Sequence, residues 1–386
     1  MEINLVAFCY RGSYFYKKYG PAVRDLQILI TLAQMEGVSV TLLERPISMY
    51  ERVLGKVFPE GILDDYHIRI CDKTSFDFFG PLKFRLWWEH SVKSYLADIL
   101  PRLKKDTAVN VFLDFMPIGI PKHETLDGWY YWYDFIDNFT KHNRYSEAER
   151  MAVQRKYVFA TKRAHFLSFV STDCLENVTL GRPVFGKTSV VTNKVFEDFG
   201  SSSTSAGLSE SSRKHFDFGF IGFVTDKIDI DFIKRLAGNF TVGIYGDFYD
   251  RKIKAKLQSL DNVWLLGGFH YDQLLPICET FKVGLLPYRH EISHDGSPLK
   301  LYEYLRYCKP VLTSIDYELT DQRYIINYRK VAVTNAALTD MINLSGDEGI
   351  AHLITDDDYF GKPLREIVTA VIDEVSIKAG VFDKKT

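Results

Sequence analysis

The stretch from Val283 to Ser314, VGLLPYRHEISHDGSPLKLYEYLRYCKPVLTS, limits the fold more than any other part of the chain. Val283 to Leu286 is a short apolar run of the kind that a parallel strand buried on both faces shows. A polar, conformationally free loop follows, Tyr288 to Gly296. Ser297 then has the chemistry of a helix N-cap, and Pro298 suits the first helical position. Leu299, Leu301, Tyr302 and Leu305 supply an apolar face, and Lys309-Pro310 ends the helix before a second apolar run. Strand, loop, helix and strand in this order build a parallel α/β sheet. In open sheets of that kind ligands bind at the carboxyl ends of the strands, where this loop lies.

Lys300 goes against the local rules. It sits in the first helical turn, where the macrodipole favours anions and disfavours a cation by a few tenths of a kcal/mol. A phosphate at that helix terminus would reverse the sign, since lysine and dipole would then face the same negative group. A solvated lysine paired with Glu303 explains the position equally well, and is worth about 0.2–0.5 kcal/mol.

The pattern G-L-L-P, S-P-x-K-x-Y-E-Y-L, K-P-V resembles the nucleotide-sugar site of GT-B glycosyltransferases. It is most similar to bacterial exopolysaccharide enzymes of the teichuronic-acid and xanthan glucuronosyltransferase types. The resemblance is specific over roughly thirty residues. It implies an α/β, GT-B fold of two doubly wound Rossmann-like domains facing a central cleft. It also implies that Ser297, Pro298, Leu299 and Lys300 hold the donor pyrophosphate and Glu303 the donor ribose. Asp295, eight residues before Glu303, resembles the E-x7-E spacing of retaining members, with Asp for the first Glu.

Composition sets the outer limits. The 386 residues suggest about two domains, and 46% hydrophobic with 25% charged residues excludes a disordered chain. A net charge of −2 gives no reason to expect nucleic acid as a partner. The five cysteines have no metal-ligand spacing and fit buried thiols in a reducing compartment. No window reaches the length of a membrane span and the N-terminus is not a signal peptide, so a cytoplasmic location is expected.

Ile3 to Tyr10, Pro21 to Met35 and Val38 to Leu43 read as strand, helix and strand, a right-handed parallel unit. The Arg11 to Tyr19 segment between them reads as a loop without a dinucleotide fingerprint. By the resemblance Arg11, Gly12 and Ser13 face the acceptor. Pro81 to Lys105 interleaves Lys83, Arg85, Lys93, Arg102, Lys104 and Lys105 with Phe84, Trp87, Trp88 and Tyr95. It reads as an amphipathic helix with its rings in the core, or as a segment lying on the inner face of an anionic membrane. Gly128 to Phe139 reads as an aromatic strand and its exit. Asp137 at that exit is a turn carboxylate or, by the resemblance, a cleft-facing acid. His142 reads as a structural histidine.

Gly200 to Ser212, GSSSTSAGLSESS, is the clearest boundary, because its composition cannot bury a core. The chain therefore divides into an acceptor-binding domain (1–199), a linker (200–215), a nucleotide-sugar domain (216–363) and a terminal helix crossing back (364–386). In the second domain Gly222 permits close backbone approach to phosphates, with Lys227 a weaker candidate. Gly268, Phe269 and Tyr271 leave a strand where the resemblance places the base.

The expected function is transfer of a sugar from a nucleotide diphosphate, a UDP-sugar, to a glycan or lipid-linked saccharide. The donor is a co-substrate, and no cofactor or metal is expected. Inversion with Asp137 as base is favoured over retention with Asp295 holding the donor sugar. A GT-B-type sugar-nucleotide epimerase and a catalytically silent scaffold remain as alternatives.

Overall fold

A computed structural model describes residues 2–54, 61–75, 80–197, 214–292 and 294–378. The serine-rich boundary, 200–212, therefore lies outside the described residues.

Among the described residues, seven parallel strands form the first sheet. They are β1 (Ile3–Phe8), β2 (Val38–Leu43), β3 (Ile68–Cys71), β4 (Val109–Asp114), β5 (Tyr130–Phe135), β6 (Phe166–Phe169) and β7 (Lys187–Val190), in the spatial order β3-β2-β1-β4-β5-β6-β7. Six more form the second: β8 (Phe216–Ile221), β9 (Val242–Tyr245), β10 (Val263–Gly267), β11 (Phe281–Leu286), β12 (Val311–Thr313) and β13 (Ile325–Asn327). Their order is β10-β9-β8-β11-β12-β13, so both halves repeat the doubly wound pattern. The strand order reverses beside the first strand of each half, and crevices open at such points. In the second half the point is flanked by the loops after Ile221 and after Leu286.

The central strands β1, β4 and β5 are buried along their whole length, which fits their largely apolar and aromatic sequences. Helices cover both faces. One face of the first sheet packs on α1 (Ser13–Tyr19) and α2 (Arg24–Ala33), the other on α3 (Trp88–Leu103) and α4 (Glu147–Arg163). The last helix, Gly361–Lys378, returns to the first half, where Leu364, Ile367 and Val371 join the core beside α2.

Several elements differ from the sequence reading. Residues 13–19 are helical rather than loop. Residues 80–87 form 3-10 turns kinked at Phe84 (φ 49°), and the α-helix begins only at Trp88. Trp87, Trp88 and Tyr95 are buried while Leu82 and Phe84 are exposed, so most rings of this segment belong to the core. The helix after the long loop, α5 (Leu299–Arg306), is capped by the backbone of Pro298, and Ser297 precedes the cap.

Candidate functional site

A cleft of about 370 Å³ lies between the two sheets, and both halves line it. From the second half it receives Gly222, Gly268, Phe269, Tyr271, Ser297, Pro298, Leu299, Lys300 and Glu303; from the first it receives Asp137. These sequence candidates are thus brought together across more than 160 positions of chain.

Lys300 projects from the first turn of α5 under the backbone of Gly222. A Cβ on residue 222 would lie 2.3 Å from Lys300 Cε, and φ there is +109°, so only glycine fits. The ammonium sits 5.5 Å from the Phe220 ring and 5.7 Å from the Tyr288 ring. Among the described residues no carboxylate lies within ion-pair distance of it, so the pairing with Glu303 does not form. Glu303 is instead 3% exposed, and one of its oxygens accepts the Tyr271 hydroxyl. Burial, then the charge of Glu303, pushes the Tyr271 phenol well above its ordinary range, so it stays a donor.

Asp137 follows β5 and meets the loop after β11. Its Oδ2 lies 3.3 Å from His294 Nδ1, and that nitrogen is 2.8 Å from Lys227 Nζ. Desolvation pushes the Asp137 carboxyl up, but the adjacent His294 and the Lys227 charge outweigh it, so the net shift is downward. His142 stacks on Phe139 and lies 4.4 Å from the His294 ring. Burial, helped by His294, drives its pKa down to about 3, which leaves it neutral.

Asp295 does not line the cleft. Its left-handed backbone (φ 58°) turns the side chain toward the first half. There Lys141 Nζ (2.7 Å), Asn138 Nδ2 (2.8 Å) and Asn177 Nδ2 (3.1 Å) occupy the carboxylate. These contacts tie the loop to the first half.

Arg11, Gly12 and Ser13 do not line the cleft either. Two buried carboxylates hold their backbone: Asp25 accepts Arg11 N–H at 2.6 Å and Glu44 accepts that of Ser13. A Cβ on Gly12 would fall 1.9 Å from Glu44. Because α1 starts here, Tyr19 at its far end lines the cleft instead, and its hydroxyl and Lys18 Nζ both donate to Asp247 of the second half.

Sequence reasoning missed His294, Arg144, Tyr288 and Tyr317, which all line the cleft. His294 and Tyr288 stood in a loop already placed at a strand's carboxyl end, but nothing separated His294 from His290. Asn193 donates to the Ser297 carbonyl and accepts from Arg24 at 3.2 Å, tying the start of α5 to the first half. Among the described residues no group of three or more His, Cys, Asp or Glu side chains could hold a metal ion. No helix among them is long and apolar enough to cross a membrane.

No protein-family model matches the sequence, and no curated protein matches it. Solved structures do match. HepE of Anabaena, in complex with UDP-glucose, superposes with a TM-score of 0.56 at 11% identity, over 95% of this chain and 99% of that one. Sucrose-phosphate synthase from Thermosynechococcus elongatus gives 0.54 at 13% identity, over 98% of each chain. AviGT4, a glycosyltransferase involved in avilamycin A biosynthesis, gives 0.54 at 11%, over 95% and 96%. At these identities the likeness carries the fold alone. The chain has the GT-B fold, two doubly wound α/β domains on either side of a cleft.

Proposed function

We propose that the chain transfers a sugar from a UDP-sugar to a hydroxyl of a glycan or lipid-linked saccharide, on the cytoplasmic side of the membrane and in cell-surface polysaccharide synthesis. The observation that carries this reading is Lys300, a cleft cation at a helix N-terminus, facing glycine backbone and aromatic rings instead of a carboxylate. Such a cation is answered by an anion from outside the chain, and a pyrophosphate matches both it and the helix terminus. Tyr271 and Glu303 stand beside it as partners for a ribose, and Gly268 and Phe269 border the same cleft for a base. The UDP-glucose bound to HepE supports uracil as that base.

In the reaction the acceptor oxygen attacks the anomeric carbon. The bond from that carbon to the β-phosphate oxygen breaks, and its electron pair leaves on the phosphate. Lys300, Lys227 and the helix terminus stabilise the charge that develops there. Asp137, held ionised by its neighbours, takes the acceptor proton. Direct attack from the side opposite the leaving group inverts the anomeric centre. Retention loses its main support because the Asp295 carboxylate is occupied by Lys141, Asn138 and Asn177.

A thermal-shift screen over UDP-, GDP-, ADP- and dTDP-sugars tests the reading, because a ligand of the native state raises its apparent stability. UDP-sugars should raise the melting temperature most. A flat response to every nucleotide sugar would instead leave the silent scaffold standing.

A further inference from the structure

His294 is placed where two neighbours make opposite demands on one atom. Its Nδ1 lies 2.8 Å from Lys227 Nζ and 3.3 Å from Asp137 Oδ2. An imidazole nitrogen has one in-plane position, filled either by a hydrogen or by a lone pair. A lysine ammonium can only donate and needs the lone pair; a carboxylate can only accept and needs the N–H. The distances decide which demand is met. The lysine contact is a full hydrogen bond, and the carboxylate contact lies just beyond the usual range of about 2.7–3.2 Å. The partners therefore assign His294 the tautomer with its proton on Nε2.

That tautomer has a cost. His294 is 2% exposed, and its Nε2 is buried without any hydrogen-bond partner. A buried, unpaired N–H is unfavourable, so the arrangement persists only while Lys227 enforces it. Lys227, in turn, lines the cleft with Lys300 and has no carboxylate within ion-pair distance among the described residues. Besides Asp137, the charged or titratable groups around the pair are Arg144, Lys300, Asp226 and the neutral His142.

Resting on the nucleotide-sugar reading above, we propose that His294 is a two-state positioning residue that couples donor phosphate to Asp137. Without phosphate, Lys227 holds Nδ1 as an acceptor. A phosphate bound beside Lys300 draws the Lys227 ammonium to itself, and Nδ1, now protonated, donates to Asp137 Oδ2. Protons balance in the exchange: Nδ1 takes one from solvent and Nε2 releases one. The phosphate can bias the two states because only one of them leaves Lys227 available to it. Asp137 Oδ1 already accepts the Asn138 N–H at 3.0 Å, so the second state fixes both carboxylate oxygens. The base is then oriented only after the donor has bound.

Tautomers are read directly from imidazole nitrogen shifts. The full chain, labelled with 15N-histidine, is recorded near neutral pH alone, with saturating UDP and with inorganic pyrophosphate; His294→Gln assigns the resonances. The free protein should show His294 protonated on Nε2, and either ligand should move the proton to Nδ1. Lys227→Met should give the Nδ1-protonated form without ligand. An unchanged tautomer at saturation, established separately by thermal shift, overturns the proposal, as does a Lys227→Met protein that keeps the Nε2 proton. If pyrophosphate moves the proton but UDP does not bind, the coupling stands and the uridine reading falls. If neither ligand binds, both fall.

Discussion

The two halves of the molecule share a strand order but treat charge in opposite ways. The first half buries two ion pairs within itself. Arg24 meets Asp134 with two hydrogen bonds, of 3.0 and 2.9 Å, at 4% and 1% side-chain exposure. Lys156 meets Asp114 at 2.6 Å with both side chains fully buried, and Gly119 O and Tyr131 OH complete the network. The second half keeps Lys227 and Lys300 at the cleft without a carboxylate. A buried charge answered within the chain builds the fold. A cation left beside glycine backbone and aromatic rings is, on the function proposed above, answered by a ligand. Asp137 is an exception within the first half, a carboxylate whose partner, His294, comes from the second; Lys18–Asp247 and Lys141–Asp295 also pair across the halves.

The sharpest test of that exception is Asp137→Asn. It preserves size and most hydrogen bonds but cannot accept a proton, so turnover with a UDP-sugar should drop about 10²–10⁴-fold. UDP affinity should hardly change; near-native turnover would remove Asp137 from the chemistry. Next comes the first half's use of paired charge. Lys156→Met leaves Asp114 buried without its cation, which should cost about 3–5 kcal/mol of stability in urea unfolding. Adding Asp114→Leu should restore most of it, and a double variant as unstable as the single one would mean the pair does more than answer itself. A smaller effect, with the opposite signature, is expected in the second half. Lys300→Ala should weaken UDP binding by about 1.5–3 kcal/mol while leaving the urea midpoint unchanged or higher. Lost stability with unchanged UDP affinity would make Lys300 structural and erase the contrast.

The stretch 283–314 was legible because every local signal agreed: apolar run, polar loop, proline and an apolar helical face coincide with β11, the long loop, α5 and β12. That agreement also brought Lys300, Glu303 and their neighbours to the cleft. What sequence could not carry was contact between distant parts. Arg11 to Ser13 are turned away by Asp25 and Glu44, whose burial is a tertiary fact; desolvation pushes their carboxyls up to about 6 and about 7. Asp295 has the expected spacing, but a positive φ aims it at the wrong half. His294 meets Asp137 across 157 positions, through packing of the two halves.

The smallest expected effect concerns the outer surface of the first half, where the segment 81–105 was open to two readings. The structure separates its parts. Leu82 and Phe84 are 75% and 77% exposed around Lys83, at the start of the segment. Lys104 and Lys105 lie beyond the far end of α3, donating to Asp127 O and Ser39 Oγ. The sixteen residues of α3 span about 24 Å at 1.5 Å per residue, so an apolar tip entering a bilayer would hold the basic end well away from it. Peripheral contact with anionic lipid, if the acceptor is lipid-linked, should therefore depend on the tip. Leu82→Ser with Phe84→Ser should lower co-sedimentation with anionic vesicles and change stability by less than about 0.5 kcal/mol, since neither side chain packs in the core. Lys104→Glu with Lys105→Glu should matter less, and the residual binding should survive moderate salt because it is apolar. Loss of binding only in the lysine variant would put the contact on the basic end, and no sedimentation of the unaltered chain at low salt would reject the membrane contact altogether.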